Sequence, residues 1–279
     1  NKSGSNGMIG GIGIIDYDSD GRDDIIMAGD LYSDLKLINS TGVEVWRDTV
    51  TASNIGVVSF FDLDGDGEEE IITGNSTNIL IYNLNGTFHF PFSIPSIGIP
   101  MEIDLIDSNS NGINDHVILL TYGVGNQIIL QTMNFSGNLI WNSSTILNRG
   151  GYTGFGLSNL DYDSSGFNDH VVASERGELN IFNSTGHHIL NKSSGGVTIP
   201  EVLSFDLEGS GFNDDLIISS NSGVYRYNKS LDNIWFFDTP NSVYSIRIAD
   251  VIGDSSDELV VLDGTGVLIV LNLVDGLSL

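Results

Sequence analysis

Asp16-Tyr17-Asp18-Ser19-Asp20-Gly21-Arg22-Asp23-Asp24, followed directly by Ile25-Ile26, alternates carboxylates, turns on a glycine and runs into an apolar segment. The pattern returns as Asp62-Leu63-Asp64-Gly65-Asp66-Gly67-Glu68-Glu69-Glu70-Ile71-Ile72. It returns again from Asp107, Asp161 and Asp206, and in degenerate form from Asp250. Successive copies begin 44 to 54 residues apart in a chain of 279. A period of about 40–50 residues marks propeller blades or solenoid repeats.

The alternation has a chemical reason. A hard cation such as Ca2+ takes about six to eight oxygen ligands. Side chains at loop positions 1, 3 and 5 converge when the backbone curls around one point. Position 6 must then turn sharply, which glycine does without strain, and Gly21, Gly67, Gly112, Gly166 and Gly211 stand there. Position 7 lends its carbonyl, so its side chain is free to vary. Position 9 is acidic in every copy.

The candidate ligands of the first loop are therefore Asp16, Asp18, Asp20, the Arg22 carbonyl and Asp24. Those of the second are Asp62, Asp64, Asp66, Glu68 and Glu70, and of the third Asp107, Asn109, Asn111, Ile113 and Asp115. The fourth offers Asp161, Asp163, Ser165, Phe167 and Asp169, and the fifth Asp206, Glu208, Ser210, Phe212 and Asp214. In the sixth, Ile252 interrupts the set and Ser255 replaces the glycine, so an empty or distorted site is expected. About five Ca2+ ions are predicted.

An EF-hand would also place Glu at position 12 and a helix on each side. Position 12 is Met27, Thr73, Ile118, Val172, Ile217 or Val261, and a β-branched run precedes it. On these loops the chain resembles the FG-GAP/VCBS-type repeats of the integrin α-chain head and of secreted microbial propellers. The resemblance spans about Met8 to Leu279. The phrase for which FG-GAP repeats are named survives only in traces such as Gly154-Phe155-Gly156. It implies an all-β propeller and structural calcium; integrin heads have seven blades.

Each repeat has one order of elements. An apolar run leads into the loop (Val57-Val58-Ser59-Phe60-Phe61) and a second follows it (Ile71-Ile72-Thr73), as in strands buried on both faces. A third run alternates (Leu179-Asn180-Ile181-Phe182) and a turn leads to a fourth (Val43-Glu44-Val45-Trp46). Four strands joined by hairpins make one propeller blade. Six four-stranded blades are expected, over 8–52, 53–97, 98–150, 151–197, 198–241 and 242–279, after a leader or linker at 1–7; the alternative is seven, with one outside the chain. The sixth is thin at its end, and nothing reads as a helix.

Composition narrows the function. The net charge is −27, from 10 basic and 37 acidic residues, which disfavours nucleic-acid binding. Of those acids, 23 fall in positions 1–9 of the six loops. No apolar run reaches the roughly 18 residues of a membrane span, and there is no cysteine. Sequons at Asn39, Asn75, Asn85, Asn134, Asn142, Asn183, Asn191 and Asn228 are glycosylation candidates, yet Asn, Ser, Thr and Gly are also what hairpin turns favour. Trp46, Trp141 and Trp235 sit at matching fourth-strand positions and are read as blade packing rather than a sugar platform. No catalytic histidine pair, nucleophile elbow or phosphate loop is present. The expectation is a secreted or cell-surface calcium-binding module, not an enzyme. Its partner would be a protein or glycan at the cell surface, or further copies of itself. A carbohydrate-active hydrolase or lyase and a lectin are the alternatives.

Overall fold

The structure is a computed structural model and describes residues 9–29, 34–49, 58–63, 66–74, 78–93, 99–106, 115–123, 127–143, 147–148, 156–167, 169–173, 177–193, 201–254 and 256–279. The expected leader 1–7 lies outside them, as do Asp64, Asn75 and the loop residues Asp107, Asn109, Asn111 and Ile113. The chain divides into two compact units, Asn1–Ile146 and Leu147–Leu279. All its described elements are strands.

The first unit holds three antiparallel sheets. Sheet 1 runs in the order β1 (Ile9–Ile15), β2 (Asp24–Gly29), β3 (Asp34–Ile38), β4 (Glu44–Thr49). Sheet 2 contains β5 (Val58–Phe61), β6 (Glu70–Gly74), β7 (Asn78–Asn83) and β8 (Phe88–Ser93). Sheet 3 contains β9 (Ile99–Ile106), β10 (His116–Gly123), β11 (Gln127–Asn134) and β12 (Leu139–Asn142). In the second unit a two-residue strand, β13 (Leu147–Asn148), precedes sheet 4: β14 (Gly156–Leu160), β15 (Asp169–Ala173), β16 (Glu178–Phe182) and β17 (His188–Ser193). Sheet 5 contains β18 (Val202–Phe205), β19 (Asp215–Ser219), β20 (Gly223–Asn228) and β21 (Asn233–Asp238). Sheet 6 has three strands, β22 (Val243–Ala249), β23 (Glu258–Asp263) and β24 (Leu268–Asn272). Where a fourth strand was expected, Ser278 makes an isolated bridge to Leu271 and the Leu279 N–H donates to the Val270 carbonyl.

The doubly apolar strands sit between sheets, as their composition requires. In β6, Ile71 packs with Ile26, Leu35 and Leu37 of sheet 1, whereas its neighbour Ile72 packs with Ile103, Leu105 and Val117 of sheet 3. In β19, Leu216 and Ile218 face Leu160 and Val171 of sheet 4 while Ile217 faces Leu259 and Val261 of sheet 6. Period-two alternation gives each face of a central strand its own core. The fourth strands are outer edges. Their pattern alternates exposed and half-buried in β17 and nearly so in β21, as expected for one-sided burial.

This arrangement places the acidic loops. Each connects the first strand of a sheet to the second, so every loop begins and ends on paired backbone.

Candidate metal centre

In four sheets the residue before the loop pairs with loop position 9: Ile15 with Asp24, Phe61 with Glu70, Leu160 with Asp169 and Ala249 with Glu258. These four acids are buried. Each accepts the N–H of position 2: Tyr17 to Asp24 at 3.0 Å, Leu63 to Glu70 at 2.9 Å, Tyr162 to Asp169 at 3.0 Å and Val251 to Glu258 at 3.0 Å. Position 9 thus closes the loop on itself, a role beyond ligation.

Position 1 closes it from the other side. Asp16 accepts from Asp20 N at 3.1 Å and Gly21 N at 2.9 Å. Asp161 accepts from Ser165 N at 2.9 Å and Gly166 N at 3.3 Å. Gly67 N donates to Asp62 at 3.0 Å, and Ser210 N and Gly211 N to Asp206 at 2.9 and 2.6 Å. Those N–H groups, Ser210 first, hold the Asp206 carboxyl below its ordinary range. The curl needs two left-handed residues. Position 6 has φ of 82° at Gly21, 90° at Gly67, 80° at Gly166 and 88° at Gly211. Position 4 is also left-handed, at Ser19 (57°), Ser164 (57°), Gly209 (70°) and Gly253 (80°), which the variable side chains there did not disclose.

The curl brings carboxylates together. In loop 1 one oxygen each from Asp16, Asp18 and Asp24 lie within 4.8 Å of one another, and in loop 4 the same holds for Asp161, Asp163 and Asp169. None of the ion pairs among the described residues involves these six acids. Burial, reinforced by the charges of Asp163 and Asp161, pushes the Asp169 carboxyl up to about 6. A dense, oxygen-only set that repels itself fits a hard divalent cation of the calcium class. Asp20 and Ser165 at position 5 stand outside these trios; Asp20 accepts the Arg22 N–H at 2.9 Å and Ser165 Oγ accepts the Phe167 N–H at 3.3 Å. The Phe167 and Phe212 side chains at position 7 are exposed.

In loop 2 Asp66 accepts the Glu68 N–H at 2.8 Å. Of loop 3 only Asp115 is described, 2.9 Å from His116 Nδ1. In loop 6 Asp250 accepts from Gly253 N at 2.7 Å and Asp254 N at 3.2 Å, so the loop curls even without the full set.

Loop 5 has a different register. Phe205 pairs with Asp215, not Asp214, and Asp215 pairs with Asn228 as Glu70 pairs with Asn83 and Glu258 with Asn272. The loop is one residue longer, and Asp215 occupies the place of Asp24 and Asp169. Ile106 likewise pairs with His116 rather than Asp115. Asp215 Oδ1 accepts from Arg226 Nε at 3.0 Å and lies 2.9 Å from Nη2. Burial pushes the Asp215 carboxyl up, against the pull of Arg226.

The sequons of the third-to-fourth-strand turns have a structural reason. Asn39 Oδ1 accepts from Thr41 N, Thr41 Oγ1 and Val43 N at 3.2, 2.7 and 2.9 Å. Asn183 does the same with Thr185 and His187, and Asn134 and Asn228 close their turns on Asn138 N and Asp232 N. Side-chain acceptors of this kind mimic a backbone turn. Trp46 and Trp235 are half-buried against the apolar cores: Trp46 Nε1 donates to Leu84 O at 2.9 Å and Trp235 Nε1 to Leu273 O at 3.2 Å.

No protein-family model matches the chain, and no curated protein matches its sequence. Among solved structures it is similar to BBS1N in its crystal complex with ARL6DN, soaked with lead, at 16% identity and a TM-score of 0.69, over 92% of this chain and 76% of that one. It is also similar to Saccharomyces cerevisiae Sqt1, at 14% identity and a TM-score of 0.66, over 88% of this chain and 68% of that one. At such identities the likeness is one of fold. The chain has an all-β, β-propeller fold, its six sheets standing as the blades.

Proposed function

We propose that this chain is a calcium-stabilised propeller of the FG-GAP/VCBS type, working as a non-catalytic binding module at a cell surface or outside the cell. The observation that carries the reading is the pair of carboxylate trios, Asp16/Asp18/Asp24 and Asp161/Asp163/Asp169, each drawn within 4.8 Å and taking part in none of the ion pairs among the described residues. Asp16 and Asp161 hold the curl through backbone N–H groups, and Asp24 and Asp169 anchor it to the second strand. Calcium bound there supplies the positive charge that offsets the repulsion. Loops 2 and 3 belong to the same class by sequence.

A protein partner fits this reading. Propeller loops present side chains on a rigid frame, and the similar BBS1N propeller was crystallised with a protein, ARL6DN. Among the described residues no helix is long and apolar enough to cross a membrane.

The test is calorimetric titration of chelator-treated protein with Ca2+ and, separately, Mg2+. The expected result is saturable Ca2+ binding that weakens on Asp18→Asn and on Asp163→Asn, with Mg2+ binding far less. Absence of Ca2+ binding in folded protein would sink the reading. The binding role is tested by sedimentation velocity with and without Ca2+, and by a screen of surface-displayed proteins; ligand turnover by the pure protein would replace it with an enzyme.

A further inference from the structure

We propose that blade 5 carries its own cation, the Arg226 guanidinium, in place of the metal, so that loop 5 binds no calcium; this rests on the calcium reading of loops 1 and 4. Asp215 stands where Asp24 and Asp169 stand, by its pairing on both sides. In blades 1 and 4 the residue two before the turn asparagine is Leu37 or Ile181, fully buried in the apolar core. In blade 5 that residue is Arg226.

Arg226 is 8% exposed and uses its whole fork. Nε and Nη2 meet Asp215 Oδ1 at 3.0 and 2.9 Å, and Nη1 donates to the Leu273 and Val274 carbonyls at 3.3 and 2.9 Å. Its Cζ lies 5.9 Å from the centre of the Phe205 ring. A buried guanidinium is retained only where carboxylate and carbonyl acceptors satisfy it. It therefore meets the buried carboxylate that a metal would otherwise meet, and it ties blade 5 to the last turn of blade 6. Loop 5 curls as loops 1 and 4 do, with Asp206 accepting from Ser210 N and Gly211 N, but Asp206, Glu208 and Asp214 form no trio within 4.8 Å of the kind seen in those two loops. The extra residue that moves Asp215 into the strand takes from Asp214 the strand-paired place held by Asp24 and Asp169 and leaves it half-buried, its Oδ1 shielded and without a hydrogen-bond partner among the described residues.

Two measurements decide it. The first counts bound Ca2+ by equilibrium dialysis in wild type and in position-3 variants. Asp18→Asn and Asp163→Asn should each lower the count by one, whereas Glu208→Gln should leave it unchanged; loss of one ion in Glu208→Gln overturns the inference. The second follows hydrogen exchange in excess chelator. Wild-type amides of Asp215–Ser219 and Gly223–Asn228 should stay protected, Arg226→Met should exchange them at least tenfold faster, and Arg226→Met with Asp215→Asn should recover most of that loss. Unchanged exchange in Arg226→Met, or no recovery in the double variant, overturns it. If wild type binds no Ca2+, the reading of loops 1 and 4 fails, and the chelator experiment still decides the role of Arg226.

Discussion

Trp46 lies directly over Gly86. A Cβ built on Gly86 would fall 2.7 Å from the indole, and the same residue has φ of 80°. Trp235 and Gly276 repeat the relationship, again at 2.7 Å. In each case a fourth-strand tryptophan reaches the outer turn of the following blade and donates its Nε1 proton to a carbonyl there. The contact gives Trp46 and Trp235 the same task at the same strand position. Gly86→Ala combines left-handed strain with overlap and should cost at least about 2 kcal/mol. Trp46→Phe keeps most of the ring and loses one hydrogen bond, about 1 kcal/mol. Urea denaturation of both variants checks the order; equal costs would show that the turn gives way freely.

The left-handed serine at loop position 4 offers a second check. Ser19 has φ of 57° where glycine would sit without strain, and Gly21 has φ of 82° with open space around its missing Cβ. Ser19→Gly should stabilise the protein by up to about 1 kcal/mol, and Gly21→Ala should destabilise it by about 1–2 kcal/mol. The serine hydroxyl is not needed for the curl, so the two changes should have opposite signs.

Much of this is legible in the chain because repeats multiply weak signals. One acidic turn would be a solvated loop, whereas five near-complete copies and a degenerate sixth locate every blade. The apolar runs around Ile71-Ile72 and Leu216-Ile217-Ile218 read directly as strands with a core on each face. Loop 5 escapes this reading because Asp214 and Asp215 are adjacent carboxylates, and composition cannot say which one enters the strand. The clue was Arg226, a lone cation in an otherwise apolar strand. The second left-handed position escaped because serine tolerates that conformation at modest cost and so leaves no glycine to mark it.

Asp263 makes the pH dependence of one hairpin predictable. Its carboxylate accepts from Thr265 Oγ1, Thr265 N, Val267 N and Asn241 Nδ2 at 2.7, 2.9, 2.9 and 3.2 Å. These bonds, that of the Thr265 hydroxyl first, lower its pKa from 3.8 to about 2. A depressed acid contributes stability that is complete above its unfolded value and is lost as pH falls through the folded one. The contribution should hold above about pH 4 and disappear between 4 and 2. Asp263→Asn keeps the Oδ1 acceptor, as Asn39 does in its own turn, but removes the charge and the Oδ2 that accepts from Asn241. The variant should be less stable than wild type near neutrality, and the gap should narrow as pH falls below 4. Parallel pH profiles from 7 to 2.5 would show that the turn does not depend on the ionised form.

Calcium should raise stability through the two trios independently. Any ion bound only by the folded chain adds RT ln(1 + [L]/Kd), about 2.7 kcal/mol per site at a hundredfold excess over Kd. The trios of loops 1 and 4 are built from separate side chains, so their contributions have no shared ligand through which to couple. Asp18→Asn should therefore remove the calcium-dependent gain from the unit holding Asp16 and leave it in the unit holding Asp161, with Asp163→Asn doing the reverse. Loop 4 is also braced from within its unit: Asp161 N donates to Asn213 O at 3.1 Å and Lys229 Nζ to Ser164 Oγ at 3.0 Å. A braced loop loses less order when its ion leaves, so β14 and β15 should keep more hydrogen-exchange protection in chelator than β1 and β2. Exchange that rises equally at both loops would mean that carboxylate repulsion, common to both trios, outweighs the bracing; exchange unchanged at either would mean that calcium plays no structural part there.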